Sequence, residues 1–217
     1  APETTYFFTV EAEDAAGNVG LAEAGGSCLT ITTTTRVGYF TQQFQTGAFP
    51  LTNQQLTFSP EASPNGYTVC RQPISALPIA PEGGTMLLLP DDGSAEVKLQ
   101  AGARVRLYGE DHTSFFVNSN GNISFDNGDP QSMESLSMHF RIARVSALFD
   151  DLNPFAGGSV SWKQLGNRVA VTFLNVPEFV SSGSAPTPNS NTFQIEFFFD
   201  GTIRLSYLAV SAQDGIV

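Results

Sequence analysis

Charged side chains are scarce in this chain: Asp, Glu, Lys and Arg make up 14% of its 217 residues, against roughly 25% in an ordinary soluble domain. Basic residues are scarcer still, 10 against 21 acidic, which leaves a net charge of −11. Such a field repels phosphate backbones and anionic lipid, and so argues against nucleic acid and membrane surfaces as partners. It suits cation binding, and it equally suits plain solubility. Only two histidines occur, His112 and His139, and there is no G-x-S-x-G, H-E-x-x-H or glycine-rich phosphate loop. The usual signatures of hydrolysis and phosphoryl transfer are therefore missing. No apolar run is long enough to span a membrane and no signal peptide stands at the start, so an export signal would lie upstream in a longer precursor. Cys28 and Cys70 are the only cysteines, without the spacing of a zinc site. They supply one disulfide in an oxidising compartment or two thiols in a reducing one. A bridge would close a loop of about 40 residues, worth roughly 3–4 kcal/mol on the loop-entropy model.

What is abundant is Phe, at 18 residues, set among Gly, Ser, Thr, Asn and Gln. Apolar runs end repeatedly on turn residues: Ser114–Phe125 contains Asn120-Gly121, Arg144–Asp151 runs into Asn153-Pro154, and Asn191–Leu205 contains Asp200-Gly201. This is the punctuation of antiparallel hairpins. Thr4–Glu13 and Cys28–Thr34 alternate as strands, as do Tyr39–Phe44 and Leu56–Pro60. Residues 61–95 carry Pro64, Pro73, Pro78, Pro81 and Pro90, and read as long ordered connections. Glu96–Leu99 and Arg104–Leu107 alternate around Gly102 as one hairpin. Ser159–Trp162 and Arg168–Phe173 flank Gly166-Asn167 as another. Residues 131–141 suit a short helical turn, and 180–190 a Ser/Pro/Asn-rich loop. The fold expected is all-β, an antiparallel β-sandwich with long loops and at most one short helix.

Two resemblances overlie this pattern. Residues Tyr6–Asn18 resemble the penultimate strand and following loop of a fibronectin type III domain, and Cys28–Thr33 resemble its last strand. Since the strands that such a domain needs before Tyr6 are not in the sequence, residues 1–35 are expected to be the C-terminal strands of a truncated fibronectin type III-like domain. The strand order from Arg104 to Val210 resembles the extracellular nidogen-like module, in the pieces Phe116–Phe125, Ile142–Leu152, Gly157–Trp162, Arg168–Pro177 and Asn191–Gly201. Residues 36–217 are then a nidogen-like β-sandwich domain of a large secreted, multidomain bacterial protein. The resemblance implies an adhesive or matrix-type module without catalytic activity of its own.

The residues that carry chemistry are few. Asp111, His112 and Ser114 gather the residue types of a triad, but neighbours along a strand point to opposite faces. Glycosidase chemistry asks for two carboxyls about 5–10 Å apart, and Glu178, Glu196, Asp150 and Asp151 are the candidates. No catalytic residue is assigned. The metal candidate is Asp150, Asp151 and Asn153, oxygen donors of the kind calcium takes. The alternative is an Asx turn, with an inward carboxylate answered by Arg144 or Arg168. Asp126–Asp129 resembles half a calcium loop without its distal glutamate, and Asp14 with Asn18 reads as a turn. No cofactor is required by any motif, and calcium is the one these residues would suit. Trp162, Tyr39, Tyr67, Tyr108 and Tyr207 are the aromatics available to a sugar platform, although Trp162 shares a strand face with Val160. Phe197 and Phe199 share one face and Phe198 takes the other; such a strand is buried on both faces or presents one to a partner.

The function expected is a non-enzymatic extracellular structural or adhesion module of a secreted or cell-surface protein, with Cys28 and Cys70 as its disulfide. Its interaction surface is expected at Tyr6, Phe8, Trp162, Phe197, Phe198 and Phe199. Its partners are neighbouring domains of the same precursor, further copies in an oligomer or filament, or a surface glycan; nucleic acid and membrane insertion are not expected. The alternatives are a carbohydrate-binding accessory domain of a secreted hydrolase, and a secreted hydrolytic enzyme using His112 or Glu196.

Overall fold

A computed structural model describes residues 11–13, 19–21, 28–29, 41–45, 49–61, 66–180, 190–212 and 215–217, with the backbone alone for those before 41. The expected surface residues Tyr6 and Phe8, Tyr39, and the domain boundary near residue 35 lie outside the described residues. In chain order the strands begin with β1 (Glu11–Glu13), β2 (Val19–Leu21), β3 (Cys28–Leu29), β4 (Gln43–Phe44), β5 (Gln54–Pro60) and β6 (Tyr67–Pro73). They continue with β7 (Thr85–Leu87), β8 (Ser94–Lys98), β9 (Val105–Leu107), β10 (Glu110–His112), β11 (Ser114–Asn118) and β12 (Asn122–Ser124). The single helical turn, α1 (Leu136–His139), precedes β13 (Arg144–Ser146), β14 (Ser159–Gln164), β15 (Arg168–Val176), β16 (Asn191–Phe198), β17 (Ile203–Ala209) and β18 (Gly215–Ile216).

Two sheets make the sandwich. The larger has eight antiparallel strands in the order β3-β6-β5-β17-β16-β15-β14-β7, and the smaller has four in the order β13-β12-β11-β8. Period-two alternation decides which side chains meet between them. Phe193, Ile195 and Phe197 point inward from β16, and Phe115, Val117 and Ile123 from β11 and β12; all are fully buried. Phe197 stands 5.7 Å from Phe115 and 5.8 Å from Phe125, ring to ring, and ties the two sheets together. Burying each such ring is worth roughly 1.5–3 kcal/mol.

The opposite face of the large sheet is covered as well. Gln55, Thr172, Gln194, Glu196 and Ser206 lie on it, all buried. The connection from β6 to β7 must travel from near one edge of the sheet to the other, and it crosses this face. Gln194 holds it by accepting from the Ile79 N–H at 3.1 Å and donating to the Ile79 carbonyl at 2.8 Å. Lys163 Nζ donates to the Ala80 and Glu82 carbonyls at 3.1 and 2.6 Å. A proline-rich segment with no ladder of its own needs such side-chain partners for its backbone.

Two expectations are corrected here. The segments around Gly102 do not form a hairpin with each other: β8 pairs with β11 and β9 with β10. The cause is the turn at Gln100–Ala103, where Ala101 and Gly102 both take positive φ, and where the Leu99 N–H already donates to Thr113. Phe197 is no surface for a partner, because the sandwich core takes it entirely. Phe199 packs partly buried against the same core.

Candidate functional site

At one end of the sandwich, loops from distant parts of the chain bring acidic groups together. The turn before β8 supplies Asp91 and Asp92; it closes by a Gly93 N–H to Pro90 carbonyl bond of 3.0 Å. Asp92 takes φ 52°, a left-handed conformation that Asp tolerates better than most residues. The loop after β13 supplies Asp150 and Asp151, and the end of β15 runs into Glu178. Carboxylate oxygens of Asp91, Asp92 and Asp151 all lie within 4.8 Å of one another.

Asn120 is the clamp that sets this arrangement. Fully buried in the β11–β12 turn, it donates through Nδ2 to Asp92 Oδ1 at 2.8 Å and to the Gln131 carbonyl at 3.0 Å. Its Oδ1 accepts the Leu152 N–H at 3.0 Å. One amide thus joins three loops. The neighbouring Gly121 is required for close approach: it has φ 75°, and a Cβ there would stand 1.8 Å from the Leu148 carbonyl oxygen. The Gly121 carbonyl in turn accepts from the Ala147 and Leu148 N–H groups, both at 3.2 Å.

Asp150 is 4% exposed. Its Oδ1 accepts the Asp151 N–H at 2.8 Å, whereas the Leu152 N–H that an Asx turn would use donates to the Asp150 carbonyl and to Asn120 Oδ1. Its Oδ2 is buried with no donor, and the side chain it meets is the Glu178 carboxyl. Burial, and then Glu178, push the Asp150 carboxyl up to about 9. Burial also lifts Asp151 to about 6, helped by the charges of Asp92, Asp91, Glu134 and Glu178. Asp91 is raised for the same reasons, burial first and Asp92 next. These shifts share one direction because the groups are partly withdrawn from water and face each other. Asn153, expected as a ligand, uses its Oδ1 to accept the Ala156 N–H at 3.0 Å. Its N–H donates to Pro177 at 2.9 Å, and the Phe179 N–H donates to Asp151 at 2.6 Å, which stitches the two acidic loops together.

The other candidates are occupied by structural partners. Glu196 lies within 2.9 Å of Arg168 Nε and 3.4 Å of Arg204 Nη1. Both guanidiniums also cover the Phe198 ring, at 4.9 and 4.7 Å from its centre. Phe198 is thus engaged by two cations. Asp129 of the half calcium loop is buried against Arg144 at 2.7 Å, so that carboxylate already has its cation. Asp111 bonds Arg106 at 2.7 and 3.1 Å, and the His112 ring packs on Phe125 at 4.5 Å; neither orients the other toward Ser114. His139 lies buried between Thr41 and Ser146. Burial, then the Arg144 charge, pulls its pKa down to about 4. Trp162 packs partly buried against the core. Tyr67 and Tyr207 are themselves core residues and Tyr108 is half-buried. No open platform of aromatic rings forms among these described residues. Asn122, which with Ile123 and Ser124 fits the N-glycosylation sequon, is fully buried and its Oδ1 accepts from Asn118 Nδ2 at 2.8 Å.

Glu178, Asp91, Asp92 and Asn120 were not legible as a group in the sequence. Asp91 and Asp92 sit in a proline-rich connection, and Asn120 has the look of an ordinary Asn-Gly turn residue. The sequence sets Glu178 beside Asp150 and Asp151 only as possible glycosidase carboxyls, and gives no sign of Asp91, Asp92 or Asn120 near them.

No curated protein and no solved structure matches the chain. The family model described as NIDO related matches residues 67–216, a span that takes in the four-stranded sheet, the eight-stranded sheet except β3 and β5, and the acidic loop end. By that match, the chain belongs to the NIDO-related family.

Proposed function

We propose that this chain is an adhesion or assembly module of a larger secreted or cell-surface protein, and that it joins a second copy of itself along β7. Its family is a structural-type extracellular module and not a known enzyme family. Among the described residues no helix is long and apolar enough to cross a membrane. The observation that carries the reading is the exposed rim of the large sheet. β7 is the terminal strand there, and Met86 is 55% exposed and Leu88 93% exposed. A terminal strand offers unpaired N–H and C=O groups, and most proteins guard it with Lys, Pro or a bulge. Thr85-Met86-Leu87-Leu88 has none of these, and the brevity of β7, three residues, is the guard that strand addition would have to overcome. Strand addition across β7 would pair the backbone groups and cover both apolar side chains.

The test is native mass by size-exclusion chromatography with light scattering. A dimer or filament that falls to monomer on Met86→Lys with Leu88→Lys supports the reading. A monomer at every concentration, or an oligomer indifferent to the pair, removes it.

The same reading takes residues 1–35 as the end of a preceding fibronectin type III-like domain, fastened to this one by a Cys28–Cys70 disulfide. Supporting it, β3 pairs with β6 so that Cys28 stands directly opposite Cys70. Cα atoms facing each other in an antiparallel pair are about 4.5–5.5 Å apart, inside the range a disulfide spans. Thiol counting under denaturing conditions should find none before reduction; two free thiols would refute the bridge.

A further inference from the structure

We propose that the acidic loop end is a calcium site, in which Asp91, Asp92 and Asp151 hold one ion and Asp150 with Glu178 forms the carboxyl pair beside it. This names the ligand of the site within the module proposed above, but its evidence is separate. Three carboxylate oxygens within 4.8 Å of one another fit a single calcium sphere, where opposite oxygens stand about 4.6–5.2 Å apart. The donor set is all oxygen, without His or Cys, which selects hard cations over zinc or copper. Magnesium at about 2.0–2.1 Å to each oxygen needs a tighter octahedron than three carboxylates from two separate loops readily form.

An acidic cluster alone would say little, since exposed acids are common on a protein of charge −11. The second observation is Asp150. Its side chain is buried, no N–H donor or cation reaches its Oδ2, and the group it hydrogen-bonds is itself a carboxyl, that of Glu178. Asp150 adjoins Asp151 in the chain, and the Phe179 N–H, next to Glu178, donates to the Asp151 carbonyl at 2.6 Å, so Asp150 and Glu178 belong to the same acidic centre. A buried carboxylate without a donor carries a desolvation cost that a nearby cation or a proton must offset. Elsewhere in this molecule the offsetting charge is an arginine, for Asp129 and for Glu196. No salt bridge to Asp91, Asp92, Asp150 or Asp151 is found among the described residues. The architecture also prepares the ligands: Asn120 orients Asp92 while gripping the backbone of the Asp150–Leu152 loop. Less ordering is then left to the binding step.

The experiment is isothermal titration of calcium chloride into the chelator-stripped 217-residue chain, paired with thermal melts in calcium, magnesium and chelator. The expected result is one ion per chain, a melting temperature raised by calcium and raised less by magnesium at equal concentration. Asp92→Asn and Asp151→Asn should each weaken binding at least tenfold while melting in chelator no lower than the parent, which separates lost ligation from lost folding. Asn120→Ala is a second probe: it removes the Nδ2 donor to Asp92 without adding charge, and should weaken calcium binding with all three ligands present. No heat and no shift with the parent chain would overturn the proposal. So would unchanged binding in both carboxylate variants. A chain that binds calcium but stays monomeric fails the β7 reading alone; one that self-associates without binding calcium fails this one alone.

Discussion

Two acidic centres in this sandwich, each with one buried carboxyl, have opposite solutions to the same problem. Glu196 lies on the covered face of the large sheet, within reach of two guanidiniums that themselves stack on Phe198. Asp150 lies at the loop end, where what it meets is another carboxyl. Register explains the difference. On adjoining strands Arg204 stands directly opposite Glu196, and Arg168 opposite Phe198, so the ladder itself delivers the positive charge. The loop end is assembled from turns, and its polar clamp is a neutral amide, Asn120. The sheet centre carries its own positive charge; the loop end, on the proposal above, takes its positive charge from a cation.

Breaking the sheet centre should have the largest effect. Glu196→Ala leaves two guanidiniums over a covered sheet face without their acid. Urea unfolding should show a loss of about 3–5 kcal/mol, equal in calcium and in chelator. A calcium-dependent loss would mean that the two centres are not independent.

A third buried group sharpens the contrast by giving up its charge. His139 in the folded chain stays neutral down to about pH 4, whereas an unfolded histidine takes its proton near pH 6.5. The unfolded state therefore binds the extra proton first, and the stability His139 confers is lost as pH falls from 6.5 towards 4, by up to about 3 kcal/mol. Urea unfolding of the parent and of His139→Asn across this window should show the parent losing more stability. Parallel curves would contradict the neutral, buried histidine.

The smallest effect has the opposite sign. Asp150→Asn replaces one of two apposed carboxyls with an amide that can donate to Glu178. In chelator this variant should be more stable than the parent by about 1–2 kcal/mol. Added calcium should close that gap by stabilising the parent. A variant less stable than the parent in chelator would show that the Asp150 carboxylate is already satisfied by the fold.

Much of the sandwich was legible from local pattern. Asn120-Gly121, Gly166-Asn167 and Asp200-Gly201 each mark a hairpin that forms, and α1 falls within residues 131–141. Alternation also put Phe197 and Phe198 on opposite faces correctly. It could not say that both faces are covered, because the cover is the stretch around Ile79 and Ala80, which has no periodicity and is held by Gln194 and Lys163. The same limit hid the acidic centre. Asp150 and Asp151 announced themselves as neighbours in sequence, but Asp91, Asp92 and Glu178 join them only through turns and through Asn120. Side-chain period reveals faces, and says nothing of which loops meet at a sandwich end.

The most direct test is a crystal structure of the chain grown with millimolar calcium. One ion is expected, bound by carboxylate oxygens of Asp91, Asp92 and Asp151 at about 2.3–2.6 Å, and none beside Glu196. An acidic loop end without an ion, its carboxyls hydrogen-bonded to one another or turned out to water, would contradict the calcium site.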